Sequence, residues 1–316
     1  MMTPEPLAQP VPTGLAPLIG ADFGPPDRRR WLPKSPLARA AALVGGDVLV
    51  AVGALILSVV IVAALTAPWI APYPAQGRGT ADVASRDLAP SLTHWFGTDH
   101  LGRDILSRVI FGARPALVVS SVVVFAAIVI GVIIGSLSGY LGGWVDELLM
   151  RMTDVFLSFP PLLLTMIIAS LLGPSLVHAA IALVISWWPW YARLVRTVAQ
   201  SIRQRSYIEA ARVSGAPVHR ILWRHVLRNS LSPVFVQATI DFGTVILAAG
   251  SLAFLGLGAQ PPTADWGLMV ADGRTTVTTE WWIPTFPGLA IFVIVLGANL
   301  VGDGMQNLLH HGVARR

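Results

Sequence analysis

The stretch from Arg193 to Pro233 reads R-L-V-R-T-V-A-Q-S-I-R-Q-R-S-Y-I-E-A-A-R-V-S-G-A-P-V-H-R-I-L-W-R-H-V-L-R-N-S-L-S-P. It lies between two long apolar runs, so both of its ends are tethered close to a membrane surface. Eight arginines (193, 196, 203, 205, 212, 220, 224 and 228) stand against one acid, Glu209. Membrane proteins hold such arginine density on the cytoplasmic side, by the positive-inside rule. Ile202, Tyr207, Ile208 and Ala211, then Ile221, Leu222 and His225, recur at three- and four-residue spacing, which predicts helix. Gly215 followed by Ala216-Pro217 predicts a helix stop and a restart. The expectation is a short helix, a sharp turn and a second helix, facing the cytoplasm and shaped to dock on a partner. A basic amphipathic loop resting on lipid headgroups is the plainer alternative.

The 316 residues are 54% hydrophobic and 12% charged, with a mean hydropathy of +0.67. That charged share is about half of the quarter usual in soluble domains, so an all-α, polytopic membrane protein is expected. A pI near 10.4 raises the question of nucleic acid, but the basic residues are spread over loops and Lys34 is the sole lysine. No basic stripe is left for a duplex. The absence of cysteine excludes disulfides, thiolate metal sites and cysteine nucleophiles.

Residues 1–46, rich in proline and glycine with Arg28-Arg29-Arg30, are expected to be a disordered, basic, cytoplasmic tail. The run R-R-R-W-L-P-K is loosely like a twin-arginine export signal, but a full-length span follows it. Span one is expected over 48–67, ended by Pro68 and Pro72, since about 20 residues cover the hydrocarbon core. The loop 68–112 then lies outside, with a short interfacial helix around Asp104, Ile105 and Arg108. Span two falls within 115–145. Its Gly131, Gly135 and Gly139 form a ladder for close helix packing, in the chain itself or against a partner.

Residues 155–192 lack Asp, Glu, Lys and Arg, and Gly173-Pro174-Ser175 divides them into spans of about 156–172 and 176–192. His178 is placed at the interface just past that turn, and Trp187, Trp188, Trp190 and Tyr191 are expected to form an aromatic belt. Span five, about 234–257, carries Asp241 well inside it. A central acid costs roughly 2.5–3.5 kcal/mol on insertion scales, so it faces protein or a watery path. A translocation-cavity residue and a structural acid bonded to a neighbouring helix are both consistent with that. Trp281-Trp282 mark the outer interface, and span six covers about 287–301. His310-His311 are too few for a metal centre, and no metal site is expected. Six spans with both termini cytoplasmic leave 16 basic residues inside and 6 outside, as the positive-inside rule requires.

Glu209-Ala210-Ala211, three residues and then Gly215 resembles the EAA loop of bacterial ABC importer permeases. Arg224-His225-Val226-Leu227 with Asn229 resembles the segment that follows it in the peptide and nickel branch, with Arg228 where proline is usual. The series Gly97-Thr98-Asp99, Gly102-Arg103-Asp104, Ser107-Arg108 and Gly112-Ala113-Arg114 resembles the opening of the conserved region in C-type peptide permeases. So do Gly142-Gly143 with Asp146 and Arg151, the run from Ser251 to Gly267, and Asn299 to Gly304. Ala253 and Ala249 replace a serine and a frequent glutamate, and the usual charges after Gly304 are Gln306-Asn307. The likeness spans about residues 96–304 in five blocks. It implies a type I ABC importer permease fold of six transmembrane helices. It implies the organisation tail 1–46, first span and loop 47–112, five-helix core 113–309 with the coupling loop 193–233, and tail 310–316. It implies a bacterial inner-membrane subunit paired with a B-type permease, two ATP-binding subunits and an extracytoplasmic solute-binding protein. Glu209, Ala210, Ala211, Arg212, Gly215 and Ala216 would be the coupling element.

No P-loop is present, because Lys34 follows Pro33, so ATP and magnesium would bind in partner subunits. No H-E-x-x-H or G-x-S-x-G setting occurs, and nothing assembles a nucleophile, base and oxyanion hole. The chain is therefore not expected to be an enzyme. A secondary transporter or channel is the competing class, although Asp241 alone is poor provision for ion coupling. Within the importer reading, nickel, glutathione or oligosaccharide remain alternatives to peptide.

Overall fold

The computed structural model describes residues 48–313, with side chains placed through residue 306. The tail 1–46 and the His310-His311 side chains lie outside the described residues. Among the described residues all regular structure is helical, apart from one isolated bridge between Thr98 and Asp104. Apart from a single helical turn at Pro74–Gly77, the helices are α1 (Val48–Ile70), α2 (Ile105–Leu141), α3 (Gly143–Leu157), α4 (Pro161–Leu172) and α5 (Leu176–Arg203). They continue with α6 (Ser206–Val213), α7 (Val218–Phe254), α8 (Trp266–Asp272) and α9 (Trp282–Val313). By length and apolarity α1, α2, α7 and α9 can each cross a membrane. A helix satisfies its own backbone, which is why such runs settle as helices in hydrocarbon.

Several boundaries differ from the expectation. Helix α1 passes Pro68 and stops before Pro72, with Ala71 N still donating to Ala67 O at 3.1 Å. Proline removes one donor but does not forbid the residues after it. The separate interfacial helix near Asp104 is instead the first turn of α2. Asp104 caps it, its carboxylate accepting from Ser107 N at 2.8 Å. The span expected over 156–172 is not one helix. Its backbone breaks at Ser158–Pro160, where α3 and α4 meet at 85°. Pro160 and Pro161 supply no N–H, and each drives the residue before it out of helical geometry. Helix α5 runs eleven residues past 192, and the expected second helix of the basic stretch is the first part of α7. There Leu222–Leu227 form a π turn just before the proline-bearing segment.

The glycine ladder is used inside the chain. A Cβ on Gly131, Gly135 or Gly139 would strike Tyr191, Ala192 or Arg196 of α5, the contact to Arg196 O being 2.5 Å. Backbones this close gain dispersion contacts that no side chain could fit between. The same packing corrects the aromatic belt. Trp187, Trp188 and Tyr191 are core residues against α2, and only Trp190 is exposed. Trp282 is likewise buried, its Nε1 donating to Thr98 O at 3.2 Å, while Trp281 is half exposed. Helix α9 packs on α1 and α7, which completes the bundle.

Candidate functional site

The basic stretch is built in two layers. Its first arginines act within the chain. Arg196 holds Asp146 of α3 through two bonds, Nε to Oδ1 at 2.6 Å and Nη2 to Oδ2 at 2.7 Å, and Ser138 also bonds that carboxylate. Arg193 pairs with Asp154 at 2.5 Å, and Arg203 donates to Leu141 O at 3.2 Å. These bonds tie α3 and the end of α2 to α5. The second layer is α6 and its turn. Ile208 is fully buried in a small cluster with Tyr140, Ala199, Ile202, Ile221 and Val226. Arg212 Nε donates to Tyr140 Oη at 3.1 Å, with the guanidinium 4.9 Å over the ring. One face of α6 is thereby fixed to the ends of α2, α5 and α7.

The other face is free. Glu209, Ala210 and Val213 are exposed, and among the described residues Glu209 forms no ion pair or side-chain hydrogen bond. The helix stops at Gly215, whose φ is +77°. Gly215 N donates to Arg212 O at 2.9 Å and Ala216 N to Ala211 O at 3.0 Å. That pair of bonds is a Schellman stop, with Ala211 at C3, Gly215 at C′ and Ala216 at C″. The spacing of E-A-A-x3-G thus has a physical origin. Three residues separate the C3 residue Ala211 from Gly215, the position that needs positive φ. The six predicted coupling residues all fall on this one helix and its stop. Sequence reading missed Tyr140, which carries no motif, although the periodicity did include Ile202, Ile208 and Ile221.

Asp241 stands apart from α6, in the middle of α7. It is 7% exposed. Gln237 Nε2 donates to its Oδ1 at 3.1 Å, and the Tyr191 hydroxyl of α5 lies beside it. Asp241 Oδ2 and Tyr191 Oη are both buried without completing a hydrogen bond. The apolar groove of about 310 Å³ between α1, α2, α7 and α9, lined by Leu57, Phe125, Phe235 and Phe242, does not include Asp241.

At the opposite end of the bundle two sequence blocks lock together. Arg108, fully buried, reaches the carbonyls of Pro262 at 3.4 Å and Thr263 at 3.3 Å. Trp266 Nε1 donates to Val109 O at 2.9 Å. Arg103 pairs with Asp99 at 2.6 Å and lies 3.7 Å from Asp272, while His94 bonds the capping Asp104 at 2.9 Å. Burial pushes the Asp272 carboxyl up, with Arg103 and Arg108 pulling against it. Burial also raises the Asp265 carboxyl, against hydrogen bonds from the Leu268 and Gly267 backbone at the start of α8. The result is a cross-braced polar cap over the helix ends, not a cleft with a free nucleophile or base.

Residues 127–315 match the profile of a family described as "Binding-protein-dependent transport system inner membrane component". The chain is 44% identical over 272 residues to the probable D,D-dipeptide transport system permease protein DdpC of Escherichia coli, covering 86% of this chain and 90% of that one. It is 39% identical over 285 residues to the dipeptide transport system permease protein DppC of Alkalihalophilus pseudofirmus, covering 90% and 93%. It is 45% identical over 256 residues to the glutathione transport system permease protein GsiD of Escherichia coli, covering 81% and 84%.

Proposed function

We propose that this chain, which belongs to the family of binding-protein-dependent transport system inner membrane components, forms half of the translocation path of an ATP-driven importer of short peptides. Relatives named for a D,D-dipeptide, a dipeptide and glutathione support a peptide-class solute. Their aligned lengths cover most of both chains, which supports the same role for the whole polypeptide. The partners of the proposed complex are a B-type permease, two cytoplasmic ATP-binding subunits that hold ATP and magnesium, and an extracytoplasmic solute-binding protein. Six crossings of a bacterial inner membrane, with both termini inside, fit the charge distribution. They take α3 with α4 as one bent crossing and α5 as the next.

The observation that carries the coupling assignment is α6, anchored on one face and free on the other. Glu209, Ala210, Ala211, Arg212, Gly215 and Ala216 would seat in a groove of one ATPase. Closure of the ATPases would then push α6 as a rigid lever against the ends of α2, α5 and α7. Such a push shifts the inward–outward equilibrium only by its differential free energy for the two states. Asp241 is proposed as a pathway residue. Its Oδ2 and the neighbouring Tyr191 hydroxyl are both buried and unpaired, a state that costs roughly 1–3 kcal/mol per group, so the two would either close on each other or admit a water or a solute group between them.

Uptake of labelled dipeptide into proteoliposomes tests the reading. The chain is co-reconstituted with its partner permease, ATPases and binding protein. Uptake is expected to require ATP and the binding protein together. Solute movement by this chain alone, without ATP, would transfer it to the secondary transporters or channels.

A further inference from the structure

We propose that Asp87, His100 and Glu280 form a divalent-cation site of the zinc class, tying the long first loop to the lead-in of α9. The site is independent of the transport reading and of which way the chain faces. The three residues come from separate segments. Asp87 follows the 3-10 turn Val83–Ser85, His100 sits in G-T-D-H-L-G-R, and Glu280 precedes α9 by two residues. One ligand atom from each lies within 4.8 Å of the other two. His100 Nδ1 is 2.7 Å from Asp87 Oδ1 and 3.5 Å from Glu280 Oε2.

Two carboxylates converge on one ring nitrogen, which can donate at most one hydrogen, so a cation among the three would serve both. Glu280 Oε2 makes the case sharper. It is shut off from solvent and accepts no hydrogen bond, an arrangement that native structures rarely leave unexplained. Zinc binds imidazole nitrogen at about 2.0–2.1 Å and carboxylate oxygen at about 2.0–2.2 Å in a tetrahedron. Those lengths set neighbouring ligand atoms roughly 3.4 Å apart. The His100–Glu280 separation already meets that value, and the Asp87 contact has to open by roughly 0.7 Å. Asp87 is prepared for the role. Its N–H is held by Asp99 O at 3.1 Å, and its Oδ2 is occupied by Arg86 Nε at 3.2 Å, which leaves Oδ1 for the ion. Glu280 Oε2 lies on the closed side of the cluster, while the His100 and Asp87 side chains, 33% and 24% exposed, open it to water on the other side, where an ion would enter and keep one water as fourth ligand.

The test uses the full-length chain in lipid nanodiscs, stripped with chelator and titrated with zinc ion against a chromophoric competitor. Cobalt absorption reports the coordination. One zinc per chain is expected, raising the unfolding midpoint, with a tetrahedral cobalt spectrum. His100→Ala should abolish this site. Glu280→Gln, nearly isosteric, should unfold like the wild type without zinc and bind it at least about tenfold more weakly, since even outer partners of a metal carry that much. Equal zinc retention by wild type and both variants would mean binding elsewhere, for instance at His310-His311, and would overturn the proposal. So would a wild-type chain that retains no zinc. Unchanged affinity in Glu280→Gln would remove Glu280 and with it the three-ligand site.

Discussion

Replacing Gly215 isolates the backbone term in the α6 stop. Its φ is +77°, and a Cβ placed there would meet nothing within 4 Å. The penalty for Gly215→Ala is therefore conformational, with no collision to add, and comes to about 1–2 kcal/mol. At that cost the opening of the turn rises roughly 5- to 30-fold. The bonds that open are Gly215 N to Arg212 O and Ala216 N to Ala211 O. Hydrogen exchange of the 206–217 segment, read by mass spectrometry, should speed up by that factor for the two amides. Gly215→Asn should exchange more slowly than the alanine variant, because asparagine visits the left-handed region more readily. Gly215→Arg adds bulk on the exposed face and should abolish coupled uptake while membrane insertion stays normal. Exchange in Gly215→Ala equal to wild type, or Asn and Ala indistinguishable, would refute the argument that positive φ fixes this residue. Normal uptake by Gly215→Arg would remove the coupling assignment.

Ile208→Ala empties a fully buried site in the cluster under α6 and should cost about 2–5 kcal/mol locally. Transport should fall while the ATPases still assemble, as size-exclusion of the complex and an uptake assay would register. Asp241→Asn should change uptake with a normal yield of complex; a drop in yield alone would make Asp241 a structural acid. Asp265→Asn keeps the cap on Leu268, since Asn and Asp cap equally well. Burial raises the Asp265 carboxyl, so the folded chain holds that proton more tightly than the unfolded one. Its contribution is then present at acid pH and lost as pH climbs past the usual carboxylate range. The variant should unfold at a higher temperature than wild type at neutral pH, with the gap closing in acid. A lower midpoint at neutral pH would contradict that sign.

The apolar runs were legible because hydrocarbon permits little besides helix, and the stop at Gly215 was legible because few residues tolerate its φ. The ladder Gly131, Gly135 and Gly139 was visible, but its partner was not. Only the fold brings Tyr191, Ala192 and Arg196 against it. The tryptophans misled for the same reason. Trp187 and Trp188 fill space beside α2, and hydropathy does not separate a core ring from an interfacial one. Pro160-Pro161 break the span expected over 156–172, and the absence of charge around them says nothing about where the backbone bends. The arginine count marked the basic stretch but not the division of labour within it. Arg193 and Arg196 are committed to Asp154 and Asp146, acids in a different helix. Asp87, His100 and Glu280 lie too far apart in sequence to form any motif, so that cluster was invisible before the loops were placed.

Co-purification is the most direct test of the central claim. The tagged, full-length chain is extracted in mild detergent from cells expressing the whole transporter, and ATP hydrolysis is measured on the eluate. A second permease and ATP-hydrolysing subunits should elute with it, and the ATPase subunits should be lost when Glu209 and Gly215 are changed. A chain that elutes without ATPase activity, or that keeps its ATPase partners after those changes, would contradict the assignment of α6 as the coupling element.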